Sequence, residues 1–301
     1  MLQWWLVPRG SGGVACRKGM SYKFYKTAFL QSKEEVKKMN NKLSRMLALA
    51  MAGALVLSGC GGSEQGGNTN SEGGSASAEE NSKERITDLA LPVETFNILY
   101  SQRGEDSENL TNLVDGLLEV DEKGKLVPCI AEEWGTEDNG LTWTFKIRQG
   151  VKWVDVNGNE MADCNAQDFA AGLEWVLNFH KNDSSNTSMP LEMIKGAREY
   201  YEYTKTLSEE EAFALNAEEG SKFREMVGLE TPDDYTVVYH CITQKPYFDT
   251  LATYNSLYPI SPAMVEELGG PAGVKSMNNE NMWYNGCYTM TSYIQGNEKT
   301  Y

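Results

Sequence analysis

From residue 93 onward the apolar positions fall into short runs whose period keeps switching between two and three to four. Val93 to Tyr100 reads as a first strand, and Leu110, Leu113, Val114 and Leu117 share one face of a helix from Ser107 to Leu117. Leu118 to Val120 is a short strand ahead of a tight turn at Asp121-Glu122-Lys123-Gly124-Lys125. Leu141 to Ile147 alternates as a half-buried strand does, and its partner is expected before the hairpin-type turn Asp138-Asn139-Gly140. Asn165 caps the next helix, with Asp168 completing a loose capping box and Phe169, Gly172, Leu173, Val176, Leu177 and His180 as its buried stripe. Residues 195–226 have helical periodicity but are heavily charged, which predicts a surface insertion. Tyr235 to Ile242 is a strand, Tyr247 to Leu251 a helical turn, Leu257 to Ile260 a strand, Pro262 to Leu268 a helix, and Cys287 to Ile294 a last strand. The elements mix without a regular βαβ repeat, so the predicted class is mixed α/β, or α+β.

The pattern upstream is of another kind. Residues 46–57 form an unbroken apolar run of twelve, well short of the roughly 20 that a spanning helix needs. With Lys42 and Arg45 ahead of it, the run fits a signal-peptide core. Leu57-Ser58-Gly59-Cys60, directly after it, resembles a bacterial lipobox, which makes Cys60 the expected lipidated residue and new N-terminus. Met39-Asn40-Asn41-Lys42 is a natural start for such a peptide, and Glu34-Glu35-Val36 is encodable by the ribosome-binding sequence GAGGAGGT. Residues 1–38 are therefore read as an untranslated or spurious leader and 39–60 as a lipoprotein signal peptide. Leu6-Val7-Pro8-Arg9-Gly10-Ser11 matches a thrombin site and is set aside as coincidence or scar. Residues 61–86, rich in Gly, Ser, Asn and Glu, cannot bury enough surface to fold. They read as a flexible tether with a reach of about 25–30 Å, leaving 87–301 as the folded part.

Charge sharpens this division. The chain holds 43 acidic and 27 basic side chains, for a net −16. Ten of the basic and two of the acidic residues lie in 1–60, so the remainder carries about −24. Such a body keeps away from anionic surfaces and argues against a nucleic-acid binder; its acidity is read as solvated surface rather than a cation site. Six cysteines are too few for a disulfide scaffold. Cys129, Cys164, Cys241 and Cys287 allow three pairings or stand as free thiols, and the sequence leaves that open. No Gly-x-Ser-x-Gly, P-loop, His-Glu-x-x-His or Cys-x-x-Cys occurs. His180 and His240, the two histidines, are read as satisfied structural residues, and Trp134, Trp143 and Trp153 as core. No catalytic residue, metal site or cofactor is expected.

Several stretches line up, in order, with one family. Leu113-Val114-Asp115-Gly116-Leu117-Leu118-Glu119-Val120 and Gly124-Lys125-Leu126-Val127-Pro128 resemble its early segment. Ala131-Glu132-Glu133-Trp134 followed by Gly140-Leu141-Thr142-Trp143-Thr144-Phe145-Lys146-Ile147-Arg148 is similar to its most diagnostic block, which Val151-Lys152-Trp153 and Ala166-Gln167-Asp168-Phe169 continue. Asn285-Gly286-Cys287-Tyr288 resembles its Asn-Gly-Pro-Tyr turn, with Cys287 in the proline position. Asp115 stands where a glutamate is usual, and Val154 to Gly158 is longer than the usual turn. The family is the peptide-type solute-binding proteins of family 5, extracellular lipoproteins that deliver oligopeptides, dipeptides or nickel to ABC importers.

The resemblance implies a periplasmic-binding-protein-like type II fold, of which 87–301 is the first lobe, with the second lobe missing from this chain. It implies a lipid-anchored, exported, monomeric receptor whose partners are a peptide and the permease subunits of an ABC importer. A nickel or haem receptor of the same family is the alternative, with a secreted hydrolase or surface adhesin behind it. Ser101-Gln102-Arg103-Gly104 corresponds to a stretch that lies beside bound peptide in the family; a solvated loop is its plain reading. Tyr254-Asn255-Ser256 offers an aromatic and amides for a peptide, or serves as packing. Asn285, Gly286 and Tyr288 fall near the crossing to the second lobe, or simply form a structural turn. With half the cleft wall absent, 87–301 alone is expected to be marginally stable and to bind ligand weakly.

Overall fold

The structure, a computed structural model, describes residues 91–301. The readings of a leader over 1–38, a signal peptide with Cys60 over 39–60 and a tether over 61–86 lie outside the described residues. The chain enters through an irregular segment and α1 (Gly104–Leu110), then a hairpin of β1 (Leu118–Val120) and β2 (Leu126–Pro128). β3 (Ala131–Gly135) and β4 (Thr142–Ile147) follow, then a second hairpin of β5 (Lys152–Val154) and β6 (Glu160–Asp163), and the long helix α2 (Ala166–Leu177). Short helices α3 (Ser188–Met193), α4 (Ala197–Lys205), α5 (Glu209–Phe213) and α6 (Lys222–Met226) lead to β7 (Leu229–Asp233) and β8 (Thr236–His240). Then come α7 (Phe248–Leu251), α8 (Pro262–Glu267), α9 (Pro271–Val274) and a hairpin of β9 (Ser292–Ile294) and β10 (Glu298–Thr300). The class is mixed α/β, as the sequence pattern requires.

The central sheet runs β3-β4-β8-β7, antiparallel throughout. The alternation along β4 buries Trp143, Phe145 and Ile147. Phe145 meets the Tyr239 ring edge-on at 5.8 Å, and Tyr239 lies 5.4 Å from Phe248. The turn joining β3 to β4 is the expected one. Asn139 and Gly140 take positive φ, and Asp138 Oδ1 accepts from the amides of Leu141 at 2.9 Å and Thr142 at 2.7 Å. Those bonds hold the Asp138 carboxyl below its ordinary value.

α2 packs on β7 and β8. Its capping box is complete: Asn165 accepts from the Gln167 amide, and the Asp168 carboxylate from the Asn165 amide at 3.0 Å. Gly172 is required by closeness, since a Cβ there would lie 2.1 Å from the Tyr258 carbonyl oxygen. Trp143 and Trp153 are buried and Trp134 packs against the core.

Elsewhere tertiary contacts override local pattern. The helix expected over Ser107 to Leu117 ends at Leu110, because the carbonyls of Asn112 and Leu113 accept from the amides of Tyr288 and Gly286 instead of continuing the helix. Val93 to Tyr100 buries Val93, Phe96, Ile98 and Leu99 but is no strand. Asn97 closes a turn, its carbonyl accepting from Tyr100 and Ser101 and its side chain from Leu99 at 3.0 Å. Leu257 to Ile260 likewise forms no strand: a 3₁₀ turn ends at Leu257, and the Ile260 amide bonds to the Asp168 carbonyl of α2. The last strand begins at Ser292, not Cys287. α2 stops at Leu177, so His180 lies in the following turn rather than on the helical stripe.

The charged stretch 195–226 is more than a surface insertion. Ala197, Tyr200, Thr204, Ala212 and Phe223 are buried. At its root a buried ion pair joins Lys181 Nζ to Glu174 Oε2 at 2.7 Å. Glu174 Oε1 accepts from Tyr200 at 2.8 Å and Asn178 at 3.0 Å, while Lys181 also reaches the Leu215 carbonyl. Burial first, then the Glu174 charge, pushes the Tyr200 hydroxyl up. Cys129, Cys164 and Cys241 are free thiols, so none of the three pairings among the four later cysteines forms.

Candidate functional site

Three loops with no sheet pairing of their own are stitched together by side-chain amides. Leu99 O accepts from Asn182 Nδ2 at 3.1 Å and Asn186 Nδ2 at 2.7 Å. Asn255 Nδ2 donates to Ile98 O at 2.7 Å and to Ser101 O at 2.9 Å. Ser185 Oγ donates to Gln102 Oε1. Segments 97–103, 182–187 and 254–256 thus form one ledge whose backbone is fixed by buried or half-buried asparagines.

The ledge presents aromatic and amide groups to solvent. Tyr100 is 40% exposed and Tyr254 57%. Gln102 is exposed between Ser185 and Arg103. The Tyr100 hydroxyl donates to the Asp183 carboxylate, and that bond, with some burial, raises its pKa. Arg103 is already paired: its guanidinium lies 2.6 Å from Glu94 and 3.7 Å from Glu105, and Glu94 holds its pKa up. An incoming carboxylate would therefore compete with two resident ones. Ser101 is buried, with its hydroxyl donating to Asp106 Oδ2 at 2.8 Å, so it faces inward.

The ledge thus brings together Ser101, Gln102, Arg103, Tyr254 and Asn255 from the sequence candidates. Asn285 and Gly286 pack against 112–115 instead. Asn285 Oδ1 accepts from the Asp115 amide at 2.9 Å, and a Cβ at Gly286 would lie 2.7 Å from the Leu113 carbonyl carbon. Tyr288 donates its amide to Asn112 O and sets its ring 6.4 Å from that of Tyr301. Sequence reasoning passed over Tyr100, Asn182, Asp183, Ser185 and Asn186. The available signal was the Asn-Asp-Ser-Ser-Asn run over 182–186, in the loop that follows α2, a composition rich in side chains that bond backbone.

The cavity beneath Phe96–Leu99, walled by Trp153, Met264 and Met282, has a volume of about 20 Å³, room for one water. A broad shallow groove lies along β3 and β4, lined by Glu133, Lys146, Arg148, Asp233 and Tyr235, with its charges mixed in sign. Among the described residues Asp115, Glu119 and Cys129 could hold an ion, their ligand atoms lying within 4.8 Å of one another. Burial raises both the Cys129 thiol and the Glu119 carboxyl, which favours their protonated, non-ligating forms. Among the described residues no helix is long and apolar enough to cross a membrane.

Residues 125–301 match the sequence profile of the bacterial extracellular solute-binding proteins, family 5 Middle. The chain is 31% identical over 199 residues to the oligopeptide-binding protein SarA of Streptococcus gordonii, covering 66% of this chain and 27% of that protein. It is 26% identical over 259 residues to the oligopeptide-binding protein AliB of Streptococcus pneumoniae, covering 86% of this chain and 34% of AliB. It superposes on the Haemophilus influenzae OppA crystallised with the peptide RPPGFSPFR with a TM-score of 0.53 at 26% identity, over 68% of this chain and 35% of that one. The chain therefore spans about a quarter to a third of the length of the relatives it matches.

Proposed function

This chain belongs to the bacterial extracellular solute-binding proteins of family 5, and we propose that it forms part of a peptide receptor, with the ledge as one wall of the ligand cleft. The observation that carries the reading is the ledge itself. Exposed Tyr100, Gln102 and Tyr254 stand on backbone held by Asn182, Asn186 and Asn255. Rigid aromatics beside amide groups suit an extended peptide, whose side chains vary while its backbone does not. Asn285, Gly286 and Tyr288 are proposed to shape the rim where the chain leaves this wall.

The protein acts by binding alone, without covalent chemistry, and hands its cargo to the permease subunits of an ABC importer. Export and anchoring follow from the signal-peptide pattern and from lipidation at Cys60, with the 61–86 tether letting a monomeric body stand off the outer face of the membrane. Titration calorimetry of the intact gene product with di-, tri- and longer peptides, free amino acids, nickel and haemin tests the reading. Saturable one-site binding of peptides is the expected result. Binding of nickel or haemin with no response to any peptide would overturn it.

A further inference from the structure

The segment bearing Tyr100 and Gln102 is gripped on its flanks by two buried charges that come from different elements. Asp106, on α1, is fully buried. Its Oδ1 accepts from the Glu94 amide and its Oδ2 from Ser101 Oγ, each at 2.8 Å, and Ser101 Oγ accepts in turn from the Arg103 amide at 3.2 Å. Lys299, on β10, is 7% exposed. Its Nζ donates to Leu91 O and Asn109 Oδ1, each at 2.8 Å. Tyr301 donates to the same Asn109 oxygen at 2.7 Å. On β9, the Tyr293 hydroxyl donates to Val93 O at 3.1 Å and accepts from Val93 N at 2.9 Å. The hairpin thus holds 91–93 and α1, while α1 holds 94 and 101.

Burial pulls the Lys299 pKa down, and the Asp106 and Glu108 carboxylates oppose the shift, so the charges of α1 and the hairpin are within electrostatic reach of one another. Apolar residues of the same shape commonly stabilise a fold as well as a buried charge pair does. What charges add is a geometry: each must meet its partners in one arrangement or bear a large desolvation cost. Here that arrangement sets the path of residues 94–103.

We infer that Asp106 and Lys299 are a positioning pair for the ledge, fixing the backbone that presents Tyr100 and Gln102 to ligand and coupling it to the β9–β10 hairpin. The inference rests on the ligand reading above, and its test is chosen so that the two fail separately. Asp106→Asn, Lys299→Met and the double variant of the intact gene product are compared by amide hydrogen exchange without ligand and by titration with a peptide that binds the unaltered protein. Each single variant is expected to speed exchange across 97–103, with β4 and β8 unchanged. Each should weaken peptide binding about tenfold, the loss of one charged hydrogen bond, and the double should lose no more than the worse single. Tyr293→Phe removes only a hydroxyl and serves if the charge variants fail to fold; about fivefold weakening is expected. A lowered melting temperature with 97–103 exchange and peptide affinity unchanged would reduce the pair to a structural role and overturn the inference. If no peptide binds even the unaltered protein, the ligand reading falls, and the exchange data still decide the positioning role.

Discussion

Asp168 is a carboxylate whose burial opposes its charge, and replacing it tests that directly. It sits at the start of α2, with Oδ2 accepting from Trp153 Nε1 and from the Asn165 amide, each at 3.0 Å. Those bonds favour the ionised form, but desolvation outweighs them and raises the pKa to about 6. Against an unfolded value of ~3.9, the shift of about two units corresponds to about 3 kcal/mol. The folded pKa is the higher one, so the stability Asp168 contributes is complete below about pH 4 and is lost as pH rises through about 6. In Asp168→Asn the amide oxygen keeps both donors and nothing titrates. Urea unfolding followed by tryptophan fluorescence, at intervals from pH 3.5 to 7.5 (roughly the window spanning both pKa values), gives the difference in stability between variant and parent. That difference should climb in the variant's favour by about 3 kcal/mol between pH 4 and 6.5 and then level off. Whatever fixed offset the amide introduces is the same at every pH. A difference that stays flat across the range would refute the buried-carboxylate argument.

Other substitutions test the packing and the ledge. Lys181→Met leaves Glu174 buried without its cation and should cost about 3–5 kcal/mol by urea unfolding, much of it recovered in the Glu174→Met/Lys181→Met double. Gly172→Ala drives a Cβ to 2.1 Å from Tyr258 O and should cost about 1–3 kcal/mol by the same measurement. Tyr254→Ala removes a mostly exposed side chain and should weaken peptide binding about tenfold in calorimetry, with the melting temperature unchanged. Asn255→Ala removes two bonds to ledge carbonyls and should lower both affinity and stability, the latter by about 1–3 kcal/mol in urea.

What the sequence revealed of this fold follows from which forces are local. The β3–β4 hairpin was legible because Asn139 and Gly140 take the positive φ of such a turn, the Asp138 carboxylate bonds the amides that follow it, and β4 shows a clean alternation. α2 was legible because Asn165 and Asp168 cap it within four residues. The stretch from Ser107 to Leu117 was misjudged because its apolar period is helical, yet the carbonyls of Asn112 and Leu113 belong to a segment more than 170 residues later. Val93 to Tyr100 looked like a strand because apolar density does not distinguish a strand from a buried turn closed by Asn97. At the ledge, likeness to a family singles out Gln102 and Arg103, and aromatic and amide chemistry singles out Tyr254 and Asn255. Tyr100 and Asp183 were not singled out, because an exposed tyrosine and a loop aspartate have no periodic signature until the fold brings them together. Only the structure shows Glu94 and Glu105 against the Arg103 guanidinium.

The placement of ligand on the ledge is tested most directly by photo-crosslinking. A binding peptide carrying one benzophenone side chain is irradiated with the intact gene product, and the attachment sites are read by tandem mass spectrometry. Adducts concentrated on 97–103, 183–187 and 254–256, and suppressed by unlabelled peptide, are the expected result. Competable adducts confined to the groove lined by Glu133, Lys146, Arg148 and Tyr235, with none on the ledge, would contradict it.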